Sequence, residues 1–219
     1  MLKEARLNPE IAYDSIIDSR DGQIYKIVKI GSQVWMAENL NYADSVKTPS
    51  LKGKSWCFEK DPEKCAVTGR IYLWAAAIDS MKFATDADNP QDCGYGKICK
   101  LSTKEQGICP LGWHLPTKTE WETLFTEVGG LSTVGKMLKS LTGWNFSGNG
   151  TDAYGFSALP AGDFDFGDFL CDGNQTFFWS ATQGDATSAY SVLLLYEKDR
   201  AYFEGYNKRY GHSVRCLKD

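Results

Sequence analysis

Seven cysteines in 219 residues, the last of them at Cys216, constrain this chain more than any other feature. Two gaps are short, Cys57 to Cys65 and Cys93 to Cys99. Each is a span that a disulfide can close without a long backbone excursion. Histidine is scarce, only His114 and His212, and no paired CxxC motif is present. Cysteine at this density without zinc-type spacing points to an oxidising compartment rather than a metal site. The chain therefore reads as an exported protein stapled by bridges.

The length suits one large domain with its own core, or two small ones. Eleven tyrosines, eleven phenylalanines and seven tryptophans exceed what a modest core consumes, so some rings are expected on the surface as recognition groups. A net charge of −4 leaves no basic footprint for nucleic acid. No apolar run is long enough to span a bilayer. Lys3, Glu4, Arg6, Glu10 and Asp14 leave no signal-peptide core in residues 1–20, so an exported chain would be seen here in mature form.

Residues 1–17 lack periodicity and are expected as a loosely ordered leader, with a single domain over 18–219. From Gln23 the residues alternate, and Gly31-Ser32 turns the chain into Gln33–Ala37, a β-hairpin. Leu73, Trp74, Ala77, Ile78 and Met81 recur at helical spacing, which predicts a helix over roughly 71–82. Thr117-Lys118-Thr119-Glu120 is a capping box that starts a second helix with Trp121, Leu124, Phe125 and Val128 on its buried stripe. Gly129-Gly130 ends it. A third, short helix carries Val134, Met137, Leu138 and Leu141. Four strands follow, at Phe177–Ser180, Tyr190–Tyr196, Ala201–Tyr206 and His212–Leu217.

Ordered blocks carry a family resemblance. Asp18-Ser19-Arg20-Asp21-Gly22-Gln23 with Val34-Trp35-Met36-Ala37-Glu38-Asn39-Leu40 opens it, and Gly69-Arg70-Ile71-Tyr72-Leu73-Trp74 continues it. Cys109-Pro110-Leu111-Gly112-Trp113-His114-Leu115-Pro116-Thr117, Phe178-Trp179-Ser180-Ala181-Thr182 and Tyr210-Gly211-His212-Ser213-Val214-Arg215-Cys216 complete it. Together they resemble the Fibrobacter succinogenes major paralogous domain family, whose members look like exported surface proteins or lipoproteins of bacteria. Leu115-Pro116-Thr117, Glu120-Trp121, Trp179-Ser180 and Val214-Arg215-Cys216 also resemble formylglycine-generating enzymes and other C-type lectin-like domains. That resemblance implies an α+β fold with N- and C-terminal strands paired and a loop-rich, strand-rich last third.

It further implies a long-range Cys109–Cys216 bridge, worth roughly 4–5 kcal/mol in the chain-entropy model. Cys57–Cys65 and Cys93–Cys99 would be local pairs, leaving Cys171 odd. On the order of a hundred pairings stay open from sequence alone.

An oxidase related to formylglycine-generating enzymes would need two thiols to hold copper, and the matching block offers only Cys216. His114 and His212 are expected to be structural, which leaves no base for hydrolytic chemistry. Asp163, Asp165 and Asp168, with Asp172 and Asn174 beyond them, could form an oxygen-rich calcium loop, as could Asp86, Asp88, Asn89 and Asp92. Solvated loops are the favoured reading for both. Tyr190, Tyr196, Arg200, Tyr202, Tyr206, Arg209 and Tyr210 gather in the C-terminal third. There, flat rings and directional donors suit polysaccharide or a protein partner. The expectation is a non-catalytic recognition or adhesion protein, displayed at a bacterial envelope. A catalytically altered relative of the oxidases and a structural envelope component are the alternatives.

Overall fold

In the computed structural model, which describes residues 6–219, strands β1 (Asp14–Ile17), β2 (Ile24–Ile30) and β3 (Gln33–Met36) come first. Next are β4 (Ser55–Trp56), helix α1 (Pro62–Thr68), β5 (Ile71–Leu73) and the short helices α2 (Trp74–Ala77) and α3 (Ser80–Ala84). β6 (Trp113–His114), α4 (Lys118–Glu127) and α5 (Val134–Leu138) follow. The last third holds β7 (Asp163–Asp165), β8 (Asp168–Leu170), β9 (Gln175–Gln183) and β10 (Ser188–Leu195). It closes with β11 (Ala201–Asn207), β12 (Gly211–Ser213) and β13 (Leu217–Lys218). The architecture is α+β, mostly strands with few helices.

The alternation from Ile24 pairs β2 with β3 antiparallel, Ile30 opposite Gln33, and Gly31 takes the positive φ of +58° that the tight turn demands. The N-terminal hairpin extends into a five-stranded sheet of order β1-β2-β3-β13-β6, so the last strand lies beside the first hairpin. Part of the segment expected as leader is built into this sheet: β1 pairs with β2, Asp14 opposite Ile27. Arg6 forms a buried ion pair with Glu38, and Asn8 donates to the Asp152 carbonyl at 3.0 Å. Long-range partners order this stretch where its own pattern does not; residues 1–5 of the expected leader lie outside the described residues.

A second, eight-stranded sheet runs β11-β10-β9-β12-β5-β4, with the β7–β8 hairpin attached to β12. Its composition corrects two expectations. The run 71–82 is not one helix: Ile71–Leu73 pairs with β12 and β4, and Asp79 at φ +54° separates α2 from α3. Of the apolar residues at helical spacing, Trp74, Ala77 and Ile78 are buried, Leu73 is half-buried and Met81 is exposed. His212–Leu217 is not one strand either. β12 belongs to the second sheet and β13 to the first, and Val214-Arg215-Cys216 crosses between them.

α4 begins as its capping box requires. Thr117 Oγ1 accepts the Glu120 N–H at 3.3 Å, and Glu120 Oε2 accepts the Thr117 N–H at 2.8 Å. Trp121, Leu124, Phe125 and Val128 are buried, and Gly129 and Gly130 stop the helix with positive φ. α5 buries Val134 and Leu138, while Leu141 lies beyond it, exposed.

Two cores flank the second sheet, and β9 serves both by alternation. Phe178 packs with Trp121, Phe125, Val192 and Leu194 under α4 and α5. Trp179 packs on the opposite face with Trp74, Ile78, Cys93, Cys99 and Ala189.

Cys57–Cys65 and Cys109–Cys216 are bonded, with Cα atoms 5.0 and 5.9 Å apart. The expected third bridge is not formed. Cys93 and Cys99 are buried thiols, and Cys171 is an exposed thiol.

Candidate functional site: an aromatic shelf on the second sheet

Cross-strand register builds the site. Phe177 on β9 lies opposite Leu193 on β10, and Leu193 lies opposite Tyr202 on β11, so the three side chains form one row on one face. Alternation puts Glu204 and Tyr206 on the same face. Opposite Tyr206 is the small Ala189. The Tyr206 ring lies 5.0 Å from Phe177 and 5.7 Å from His212, both edge-on. Tyr210 continues the line, 6.4 Å from His212 and 5.8 Å from Phe166, a ring 90% exposed at the β7–β8 turn. α2 and the chain around Cys93–Ile108 cover the Trp179 end of this face. Tyr202, Leu193, Tyr206 and Tyr210 remain half-exposed at the other end.

His212 is the floor of the shelf. Its ring is held between Phe177, at 4.4 Å, and Trp179, at 4.0 Å. Ser191 Oγ donates to the Phe178 carbonyl at 2.9 Å and lies 3.0 Å from His212 Nδ1, which leaves the imidazole proton on Nδ1. Complete burial holds His212 well below the ordinary histidine range, so the ring is neutral and structural.

Carboxylates line one side. Burial pushes Asp163 up to about 6, and Gln175 Nε2 donates to its Oδ1 at 2.8 Å. Burial also raises Asp165, whose Oδ1 is buried without a hydrogen-bond partner. Burial pushes the Tyr206 phenol up to about 12, so it stays a neutral donor. Glu204 stands exposed on the strand between Tyr202 and Tyr206.

The seven residues singled out in the sequence do not form one surface. Tyr202, Tyr206 and Tyr210 share the shelf. Arg200 lies over the Tyr202 ring at 4.6 Å at one end, and Arg209 lies over Tyr95 at 3.9 Å at the other. Tyr190 and Tyr196 have the parity of Val192 and Leu194 and project to the opposite, α4 side. There Lys118 Nζ sits 4.4 Å over Tyr190, and Tyr196 packs on Phe146 at 5.4 Å. Phe177, Leu193 and Phe166 escaped the sequence reading because apolar residues carry no mark of which sheet face is left open. Asp163 and Asp165 were read from sequence as part of a solvated loop, with calcium as the alternative.

That loop is a tight hairpin. Asp163 turns to Gln175, while Asp172 pairs with Lys64 Nζ at 2.7 Å. Among the described residues, no three His, Cys, Asp or Glu side chains converge as a metal site would require.

Clefts elsewhere are modest. One of about 310 Å³ lies between α4 and β11, lined by Lys118, Glu122, Phe125, Leu131 and Phe203. Another, of about 360 Å³, lies between Ile98–Ser102 and the β9–β10 turn. Neither is lined by a histidine or a thiol. His114 is committed elsewhere: its Nε2 is 2.9 Å from Glu120 Oε1 and its Nδ1 2.7 Å from Asp219 Oδ1. Among the described residues, no helix is long and apolar enough to cross a membrane.

The fold and this surface define a disulfide-stapled α+β domain with an open aromatic sheet face. The chain belongs to the Fibrobacter succinogenes major domain family, whose sequence pattern matches residues 28–218. Neither a curated protein nor a solved structure matches it.

Proposed function

We propose that this chain is a non-catalytic recognition module of C-type lectin-like architecture that binds neutral polysaccharide through the shelf. The observation that carries the reading is the line of half-exposed Tyr202, Tyr206 and Tyr210, with the exposed Glu204 between the first two and the half-buried Asp165 in the hairpin that carries Phe166. Tyrosine faces stack on the C–H faces of sugar rings, and carboxylates accept sugar hydroxyl protons. A net charge of −4 disfavours acidic glycans. The pairing of β13 with β3 supports the lectin-like architecture. Two formed disulfides support export to an oxidising compartment and display at a bacterial envelope.

The test is a glycan array and an insoluble-polysaccharide pull-down with the oxidised protein, with and without calcium. Binding that survives chelation and is lost in the Tyr202→Ala, Tyr206→Ala, Tyr210→Ala triple variant is the expected result. Silence across all neutral glycans would sink the reading and leave a protein partner as the better one.

A further inference from the structure

A buried cluster away from the shelf sets a thiol against a carboxamide. β9 and β10 slip in register beyond Ser191: four steps along β9, Trp179 to Gln183, match two along β10, Ser191 to Ala189. A bulge of this kind re-aims side chains, and past it Gln183 turns to the buried Cys99. Gln183 Nε2 donates to the Cys99 carbonyl at 2.7 Å, and its Oε1 accepts the Cys99 N–H at 3.4 Å. Cys99 Sγ lies 3.9 Å from the same Oε1. The buried Lys208 Nζ also donates to that oxygen, at 3.0 Å, and is fixed by the Lys97 and Ala186 carbonyls at 2.9 and 3.3 Å. One carboxamide oxygen therefore collects two N–H donors, one of them an ammonium, with a sulfur nucleophile beside it. Gln183 itself is half-buried and lines the cleft of about 360 Å³ at the β9–β10 turn.

We infer that Cys99 and Gln183 join as an internal thioester, and that this acyl group captures a primary amine through the cleft. The distances around Gln183 Oε1 and the opening of Gln183 into the cleft carry the inference. It goes beyond the shelf reading and does not depend on it.

The step is an acyl transfer that needs no oxidant. Cys99 Sγ attacks Gln183 Cδ, the Cδ–Nε2 bond breaks, and the thiol proton passes to the nitrogen, which leaves as ammonia. Negative charge develops on Oε1, where Lys208 Nζ and the Cys99 N–H already donate. A thioester lies uphill of an amide, but a nucleophile held against its target acts at an effective molarity of roughly 10⁵–10⁸ M. The released ammonia diffuses away. Burial raises the Cys99 thiol, so its thiolate is scarce and the bond forms slowly after folding. Exposed Asp185 lines the same cleft, and its carboxylate draws in a primary amine in its ammonium form, of the lysine type. That amine loses one proton to water and its nitrogen attacks Cδ. The C–S bond breaks, a second amine proton goes to sulfur, an amide forms and the Cys99 thiol is restored.

The experiment uses the full wild-type chain, with intact mass read at acid pH without reductant. The expected mass is one ammonia below that of the chain with its formed bridges. Peptic digestion at low pH should yield a joined pair of peptides carrying Cys99 and Gln183; loss of ammonia elsewhere joins no peptides. Isotopic methylamine should then be taken up stoichiometrically at Gln183, with Cys99 newly open to N-ethylmaleimide. Cys99→Ala and Gln183→Glu, each checked for native circular dichroism, should lose both the joined pair and the uptake. Full mass with Cys99 alkylated, or with Cys99 bridged to Cys93, would overturn the thioester. A joined pair without methylamine uptake would overturn the capture, and undiminished uptake in folded Cys99→Ala would overturn the role of Cys99.

Discussion

The Arg215 guanidinium grips the Asn39 side chain twice, with Nε and Nη2 at 3.0 and 2.6 Å from the same Oδ1. The pair joins the crossover between the two sheets to the segment that follows the N-terminal hairpin. Arg215 Nη1 also donates to the Met36 and Phe156 carbonyls, and the guanidinium lies 4.4 Å over the Phe156 ring. Burial draws this arginine down to about 9, so its charge is held at a desolvation cost.

Truncation by Arg215→Ala leaves those acceptors without donors and opens a void between the cores. The expected loss is about 3–5 kcal/mol in urea denaturation. Arg215→Lys should recover little of it, because one ammonium cannot replace a planar fork.

His114 gives stability a pH dependence. Burial works against its charge, but hydrogen bonds to Glu120 and Asp219 outweigh it and raise its pKa above the usual 6.5. A raised histidine stabilises fully below its unfolded pKa, and the contribution is lost as pH rises through the folded one. Glu120 is held below 4.5 by His114 and the Thr117 cap despite its burial, so its contribution is lost as pH falls through that lowered value. The melting-temperature gap between wild type and His114→Gln should be widest between about pH 4.5 and 6.5 and narrow above it. A gap that widened toward pH 9 would contradict the assignment.

Asp163 has the sign opposite to Glu120. Its folded pKa of about 6 lies above the usual 3.8, so the protonated form favours the fold and stability falls as pH rises between those values. Asp163→Asn keeps an oxygen for Gln175 and removes the charge. A higher melting temperature at pH 7, converging with wild type below about pH 4, is the expected profile.

The two formed bridges close loops of very different size, 107 and 8 residues in sequence separation. The chain-entropy model gives about 4.7 kcal/mol for Cys109–Cys216 and about 2.5 kcal/mol for Cys57–Cys65. Double serine variants compared in guanidinium should show that order.

Sheet parity predicts which tyrosines matter for a glycan that binds the shelf. Tyr202→Ala and Tyr206→Ala should each weaken it by about 1–2 kcal/mol in calorimetry. Tyr190→Ala and Tyr196→Ala, on the α4 side, should leave affinity unchanged.

The sequence by itself determined what local chemistry settles. Gly31 permits the hairpin turn, Thr117 and Glu120 start α4, and Gly129-Gly130 stop it. Alternation put Tyr202, Glu204 and Tyr206 on one face of their strand and Tyr190, Val192 and Leu194 on one face of theirs, without relating the two faces. Only tertiary structure decided which of those faces α4 would cover, and therefore that the seven candidate residues divide between two sides of one sheet. It also turned Ile71–Leu73 into a strand by supplying β12 as a partner, and divided the C-terminal run between two sheets at Arg215. Period and caps act over a few residues and are written in the chain. Burial and strand partnership depend on residues a hundred positions away, and no local pattern encodes which of them will arrive.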